Sequence, residues 1–472
     1  MTLREIQQAL CLLGTRPRSS LGQNFLHDKN LARWIVSQLC LESGDHVVEI
    51  GPGLGALTGL LIRDDIRLTL IEKDQRMIRW LRERFSSESV ELFHMDALDF
   101  DLRTLYGTGP VKIVGNLPYY VSTRLIAKYT SALSPASILV LTLQREVADR
   151  LVAKAGSKEF GAMTVCASRR WSIRCARILP PSVFHPQPRV SSAVTVFKRK
   201  AECDITPCDE FLFETLVRRG FAERRKQLRS LLLEHKSKWP AICEALGTKE
   251  TVRAEELSLQ KWEKLVQLLR PANAQHGKEM LCMVDVDDGV IGSRSREEIH
   301  VNNLRHRAAH VLVFNRRGEI FLQKRSIWKD THPGKWDSSA SGHVDAAESY
   351  KEAAQRELRE ELGIECPIEK IGKLPCSAAT GWEFIEVFRA SHEGPFRLAP
   401  VEIDTGAFFP PDQIRGWLAR IPEEFSPVFA MCLRLLPERD DSSCHKVAGS
   451  RRNYEACRSY EVSRRSTRRS RD

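Results

Sequence analysis

His46-Val47-Val48-Glu49-Ile50-Gly51-Pro52-Gly53-Leu54-Gly55 decides the fold of the first half of the chain. An apolar run followed by closely spaced glycines predicts a buried strand and then a turn on which a ligand can approach bare backbone. The next apolar run, RLTLIEKD, ends with Glu72, an acid placed to accept hydrogen bonds from ribose hydroxyls. KIVGNLPYY and SILVLTLQ follow at intervals that leave room for helices, so the pattern predicts a parallel, doubly wound α/β sheet. Nicotinamide dinucleotides and sulfonium methyl donors both use such a turn, and the turn alone does not separate them.

Asn116-Leu117-Pro118-Tyr119 closes the KIVG run, at the strand edge where these sheets place their chemistry. An exocyclic adenine amine is a poor nucleophile because its lone pair is delocalised into the ring. An Asn116 amide oxygen and a backbone carbonyl can accept both amine N–H bonds and turn the lone pair toward a methyl sulfonium. That is catalysis by positioning and electrostatics, with no metal required, and Tyr119 can stack on the base.

Between residues 207 and 269 the apolar spacing becomes i, i+3, i+4, as in FLFETLVRRGFAERRKQLRSLLL, which predicts a small helical unit. Phe221, Arg224, Arg225, Lys226 and Arg229 are read as one helix carrying basic groups for RNA phosphates, although a solvated basic face would look similar. RPANAQHG then reads as a linker, and a second α/β pattern begins with MLCMVDVDD, AAHVLVF, GEIFLQKRS, a helix from Ser349 to Leu362, and EFIEVFRA. The organisation expected is a methyltransferase-type unit at 1–200, a helical RNA-binding unit at 201–270, a linker at 271–279, a second enzyme at 280–436, and a Ser- and Arg-rich disordered tail at 437–472.

Composition agrees with a polyanionic partner: 72 Lys and Arg against 61 Asp and Glu give a formal charge of +11. The 13 cysteines form no CxxC pair, which predicts reduced thiols and a cytoplasmic setting. No apolar run approaches the ~20 residues of a membrane span, and the first residues lack a signal-peptide pattern, so no membrane partner is expected.

The first half resembles the ribosomal RNA adenine dimethyltransferases across residues 16–270. The resemblance is carried by LGQNFL at 21–26, the 51–55 turn, Glu72, HMDA at 94–97, NLPY at 116–119, VFHPQPRV at 183–190, and the 221–229 segment. It implies a Rossmann-like class I methyltransferase with a small helical C-terminal domain and S-adenosylmethionine as cofactor. Asn24, Leu26, Gly51, Gly53, Glu72, Asp96 and Asn116 would bind the donor, Asp96 by reading its adenine amine. Tyr119 and Phe184 would sandwich the target base, with catalysis resting on Asn116, Tyr119 and Phe184. The substrate implied is small-subunit rRNA, at two adjacent adenosines near its 3′ end, each receiving two methyl groups.

In the second half Gly342, Glu348, Arg356-Glu357-Leu358, Glu360-Glu361 and Gly363-Ile364 fall at the spacing of a Nudix box. Glu357, Glu360 and Glu361 lie at i, i+3 and i+4, a repulsive cluster on one helical face unless cations occupy it. Hard carboxylate oxygens suit Mg²⁺ or Mn²⁺ bound to a diphosphate, which makes these the metal ligands and Glu360 and Glu361 the catalytic pair. Residues 280–430 are similar to Nudix hydrolases, an α/β/α fold. NLRHRA at 303–308, PGKWD at 333–337 and Ser341-Gly342-His343 resemble the branch that includes isopentenyl diphosphate isomerases. Those isomerases have a cysteine where this chain has Ser341, and an acid where it has Gly381, two positions before Glu383. Hydrolysis of a diphosphate is therefore expected over isomerisation, with His306 and His343 as further candidate ligands or, equally, as polar contacts within the fold. The alternatives are an RNA-binding assembly factor with vestigial catalysis in the first half, and an isomerase or a non-catalytic binding module in the second.

Overall fold

A computed structural model of the chain describes residues 1–18, 21–85, 90–201, 204–206, 208, 210–232, 237–269, 280–326, 329, 331–400 and 402–437. The expected linker at 271–279 and the tail beyond 437 lie outside these residues.

A two-residue strand β1 (Phe25–Leu26) precedes β2 (His46–Ile50), β3 (Arg67–Glu72), β4 (Val90–His94), β5 (Val111–Asn116) and β6 (Ala136–Gln144). Next come β7 (Trp171–Leu179), β8 (Phe184–His185) and β9 (Ser192–Arg199). Seven of these form one sheet in the order β4-β3-β2-β5-β6-β9-β7, with β2 through β6 parallel and β9 antiparallel to β6. The order reverses between β2 and β5, so a crevice opens at their carboxyl ends, between the 51–55 turn and Asn116. Every residue of β2 is buried, which is why HVVEI reads as an unbroken apolar run rather than an alternating one. β1 pairs antiparallel with β8, Leu26 opposite Phe184, and this small ribbon brings the LGQNFL segment and the FHPQP segment to the same crevice.

Helices Glu210–Ala222, Leu228–Leu231, Trp239–Leu246 and Leu259–Leu269 share a core built on Trp239 and Trp262. The expected single basic helix is not continuous. It stops at Ala222, and Glu223 to Gln227 form a turn before the short Leu228–Leu231 helix. Between Phe221 and Leu228 the sequence supplies no apolar residue other than Ala222, so nothing pulls that segment onto the core as helix.

The second half forms a nine-stranded mixed sheet from β10 (Met280–Val284), β11 (Val290–Ser295), β12 (His306–Phe314), β13 (Ile320–Arg325), β14 (Trp336–Asp337), β15 (Ala340–His343), β16 (Ile368–Leu374), β17 (Glu383–Ser391) and β18 (Ile403–Phe409). The helix Tyr350–Glu357 starts at a capping box between Ser349 and Glu352 and packs on β12 and β15. Its last turn, Leu358–Leu362, widens to a π-helical one before Gly363 ends it at φ +67°.

The two halves are fastened together. Tyr106 inserts into an aromatic cluster of Trp336, Phe409 and Trp417, with ring centroids 5.0–5.4 Å away, and its hydroxyl donates to the Leu133 carbonyl. Gly107 lets Trp417 close over it, since a Cβ there would sit 2.6 Å from the indole. Around this plug Arg103 Nη1 donates to the Phe408 carbonyl, Arg420 Nε to the Gly107 carbonyl, and buried Arg170 bridges Glu210 and Asp404. The plug segment runs into the start of β5, and the Pro110 carbonyl accepts from His46 at the start of β2. The second half therefore docks on the amino edge of the first sheet and leaves the crevice at the carboxyl edge open. With strands of five or six residues the two edges stand roughly 17–20 Å apart. Tyr106→Ala should lower the stability of the full chain by about 3–5 kcal/mol, the usual cost of emptying a buried aromatic site, in a denaturant titration. Tyr106→Phe, which loses only the hydroxyl bond, should lower it by about 1 kcal/mol.

Candidate active sites

Asn24, Leu26, Gly51, Gly53, Glu72, Asp96, Asn116 and Phe184 line one pocket at the crevice. Gly51 and Gly53 have φ of +65° and +56°, and a Cβ on Gly53 would meet the Phe25 ring at 3.0 Å. Glu72 holds the turn: one oxygen accepts the Gly53 N–H at 3.0 Å, the other the N–H groups of Lys73 and Asp74 at 2.8 Å. A carboxylate has about four lone-pair positions, so one remains for a ribose hydroxyl. Burial pushes this carboxyl upward despite those three bonds. Behind it, burial raises Glu49 to about 8, and Glu49 accepts from the Thr58 hydroxyl.

Asp96 accepts from Leu98 N–H at 2.9 Å and from Lys73 Nζ at 2.8 Å. Burial would raise the Asp96 carboxyl, but these bonds outweigh it and keep the group below its ordinary value. Asn116 donates Nδ2 to the Asn24 carbonyl at 2.8 Å. A carbonyl can only accept, so this bond fixes which end of the amide is nitrogen, and Oδ1 is the end left for a ligand.

The two aromatic residues differ from expectation in detail. Phe184 lies in the pocket wall but is only 2% exposed and belongs to the same buried core as Leu26, its partner across the β1–β8 ribbon. Tyr119 is half-buried, with its hydroxyl 2.6 Å from Ser192 Oγ, and it does not line the pocket as described. Tyr120, which the sequence reading passed over, does line it and is 58% exposed. Ile6 and Met1, ahead of the stretch that carried the resemblance, also close the pocket floor.

Of the expected RNA contacts, Arg224 pairs with Glu255 at 2.9 Å and Lys226 with Glu223 at 2.8 Å, while Arg229 donates to Gln227. All four basic residues, Arg225 included, are exposed on the turn and the short helix after it.

The second pocket, about 850 Å³, is lined by Glu357, Glu360, Glu361, His300, His343 and Glu383 among others. The π-helical turn breaks the single acidic face read from the sequence. Glu357 and Glu361 turn inward and are buried, whereas the Glu360 side chain is 61% exposed and pairs with Arg356. Arg356 organises the group, holding Glu348 through two bonds, Glu357 through Nη1 at 2.6 Å, and the His343 carbonyl at 2.9 Å. Gly342 is required here because a Cβ would fall 1.9 Å from Glu357 Oε1. Glu361 accepts the Ser341 N–H at 3.0 Å and Gln323 Nε2 at 3.2 Å. Burial raises Glu361 to about 7 and, together with Glu361's charge, raises Glu357 well above the carboxylate range. A buried, mutually repelling pair of carboxyls fits a divalent cation.

Beside them His300, His306 and His343 bring nitrogen atoms within 4.8 Å of one another. His306 and His343 were expected and His300 was not. Glu383 Oε1 lies 3.4 Å from His306 Nε2 and 3.3 Å from His343 Nε2. Burial lowers His300 to about 4, so it is neutral and able to ligate near pH 7, and its Nε2 is buried without a hydrogen bond. Burial opposes the charge on Glu383, but the adjacent His306 and His343 rings prevail and hold it well below the carboxylate range. Ser341 and Gly381 line the same pocket.

With Glu357 and Glu361 raised above their unfolded values, the folded metal-free protein binds more protons than the unfolded chain between about pH 4.5 and 7. Its stability should fall as pH rises through that window, and a divalent cation should replace the protons. Mg²⁺ or Mn²⁺ should therefore raise the melting temperature more at pH 8 than at pH 6, as read by calorimetry.

A donor pocket at the carboxyl edge of a doubly wound sheet, beside an Asn-Leu-Pro-Tyr turn, defines the first half as a class I methyltransferase; the carboxylate helix of the second defines a Nudix domain. The family model for ribosomal RNA adenine dimethylase matches residues 14–270, more than half of the chain, and the chain belongs to that family. The NUDIX domain model matches residues 304–430. The "Ribosomal RNA small subunit methyltransferase A" of Geobacter sulfurreducens is 38% identical over 268 residues, covering 55% of this chain and 97% of that protein. The protein of the same name from Syntrophotalea carbinolica is 38% identical over 260 residues, covering 54% and 98%. Among solved structures, a dimethyladenosine transferase from Plasmodium falciparum aligns at 22% identity and a TM-score of 0.44 over 52% of this chain and 97% of that one. A MutT protein from Methanosarcina mazei aligns at 27% identity and a TM-score of 0.23 over 27% and 91%. No described helix is long and apolar enough to cross a membrane.

Proposed function

We propose that the first half dimethylates N6 of two adjacent adenosines near the 3′ end of small-subunit rRNA, and that the second hydrolyses a diphosphate with Mg²⁺ or Mn²⁺. The observation that carries the first reading is Asn116, fixed by the Asn24 carbonyl with its amide oxygen left for the pocket. S-Adenosylmethionine supplies an electrophilic methyl group on sulfur. Asn116 Oδ1 and a neighbouring backbone carbonyl accept the amine N–H bonds and aim the nitrogen lone pair. The bound donor would supply its methyl group to that nitrogen and depart as the thioether, with the amine proton passing to solvent. Each target must be unstacked to reach the crevice, at a cost of a few kcal/mol. In this reading Arg225 and Arg229, with Arg224 and Lys226, hold RNA phosphates; their exposure supports it. The test is transfer of labelled methyl groups from S-adenosylmethionine to unmethylated small ribosomal subunits, where the reading expects incorporation into rRNA.

For the Nudix domain, the buried Glu357 and Glu361 pair supports divalent-cation chemistry on a diphosphate. A bound cation would neutralise and polarise the phosphoryl oxygens. Glu361 and Glu357 would hold it, Glu360 would complete the set from the exposed side, and Arg356 keeps Glu357 and Glu348 in place. Ser341 in place of a thiol and Gly381 in place of an acid favour hydrolysis over isomerisation.

A further inference from the structure

Among the described aromatic residues that line the donor pocket, Tyr120 is the one with its ring in solvent. Phe25 is 8% exposed and Phe184 2%, against 58% for Tyr120. Its hydroxyl makes no hydrogen bond to the described residues, whereas that of Tyr119 is tied to Ser192. Gly22 stands across from it, close enough that a Cβ would reach the ring at 3.7 Å, so one side of the ring is backed and the rest is open. Arg124, exposed four positions on, lies within electrostatic range of Asp96 in the same wall. An exposed ring on the pocket wall, with an exposed guanidinium four positions on and in range of Asp96, has the composition of a single-strand stacking site.

We propose that Tyr120 is a positioning residue for RNA: it stacks on the base next to the adenosine being methylated, with Arg124 facing that nucleotide's phosphate. This rests on the rRNA reading above. When one adenosine of an adjacent pair is in the crevice, its neighbour is one nucleotide away, at the rim. Stacking there would hold the second target while the first reacts.

The test uses the full chain and small subunits reconstituted with either intact rRNA or rRNA carrying an abasic site beside one target adenosine. Tyr120→Ala should raise KM for intact subunits about tenfold, with S-adenosylmethionine affinity by calorimetry unchanged. Tyr120→Phe should behave as wild type, because the ring and not the hydroxyl does the stacking. The abasic site should slow wild type by a similar factor and add nothing to the loss in Tyr120→Ala. Two losses that multiply, a Tyr120→Phe as impaired as Tyr120→Ala, or weakened donor binding in Tyr120→Ala would each overturn the proposal. A wild type inactive on intact subunits would instead overturn the rRNA reading, and this proposal with it.

Discussion

Asn116→Ala is expected to abolish methylation of unmethylated small subunits while leaving RNA binding near the wild-type level. The amide donates to the Asn24 carbonyl; in the proposed reaction its oxygen accepts from the target amine, so its removal takes away the group that aims the lone pair. Loss of one such oriented group costs about 10²–10³-fold in rate, which reads as no product in a subunit assay. RNA affinity should persist because the basic turn at Arg224, Arg225, Lys226 and Arg229 lies on a different element. Full turnover by Asn116→Ala, or loss of RNA binding in proportion to loss of rate, would remove Asn116 from the chemistry.

Glu361→Gln should eliminate Mg²⁺-dependent phosphate release by about 10²–10⁴-fold without unfolding the domain. Glutamine is nearly isosteric and its carbonyl can still accept the Ser341 N–H, so the geometry survives while the charge does not. Removing one of two buried, repelling carboxyls should leave the metal-free variant at least as stable as wild type near pH 7, and insensitive to Mg²⁺ in the melt. An inactive variant that is also destabilised would assign Glu361 to packing instead. If wild type cleaves none of a panel of nucleotide, dinucleotide, prenyl and RNA 5′ diphosphates, the domain is a binding module.

The parts legible in the sequence were those whose chemistry is local. The buried β2 run, the glycine turn and Glu72 follow one another in the chain, and the Nudix carboxylates share two helical turns. What was not legible depended on distant partners. Tyr106 meets Trp417 only because two sheets dock, and no spacing announces a contact across more than 300 positions. His300 joins His306 and His343 because β12 and β15 pair antiparallel and the Arg296–Val301 helix packs on β10, the strand that meets β12 at His306. A signal existed in the His300, His306, His310 series, but His310 faces Ser338 instead. The π-helical turn at Leu358–Leu362 separated Glu360 from Glu357 and Glu361, which ordinary helical spacing places together. Tyr119 and Tyr120 are neighbours of one type, and only the fold shows which ring stays in solvent.

Nucleoside mass spectrometry on small-subunit rRNA, from subunits lacking the modification, reads the methylation directly after incubation with the full chain and S-adenosylmethionine. Dimethyladenosine is expected at two adjacent positions near the 3′ end, and none with Asn116→Ala. Subunits that stay unmethylated in the presence of donor-bound wild-type protein, or methylation at a base other than adenine, would contradict it.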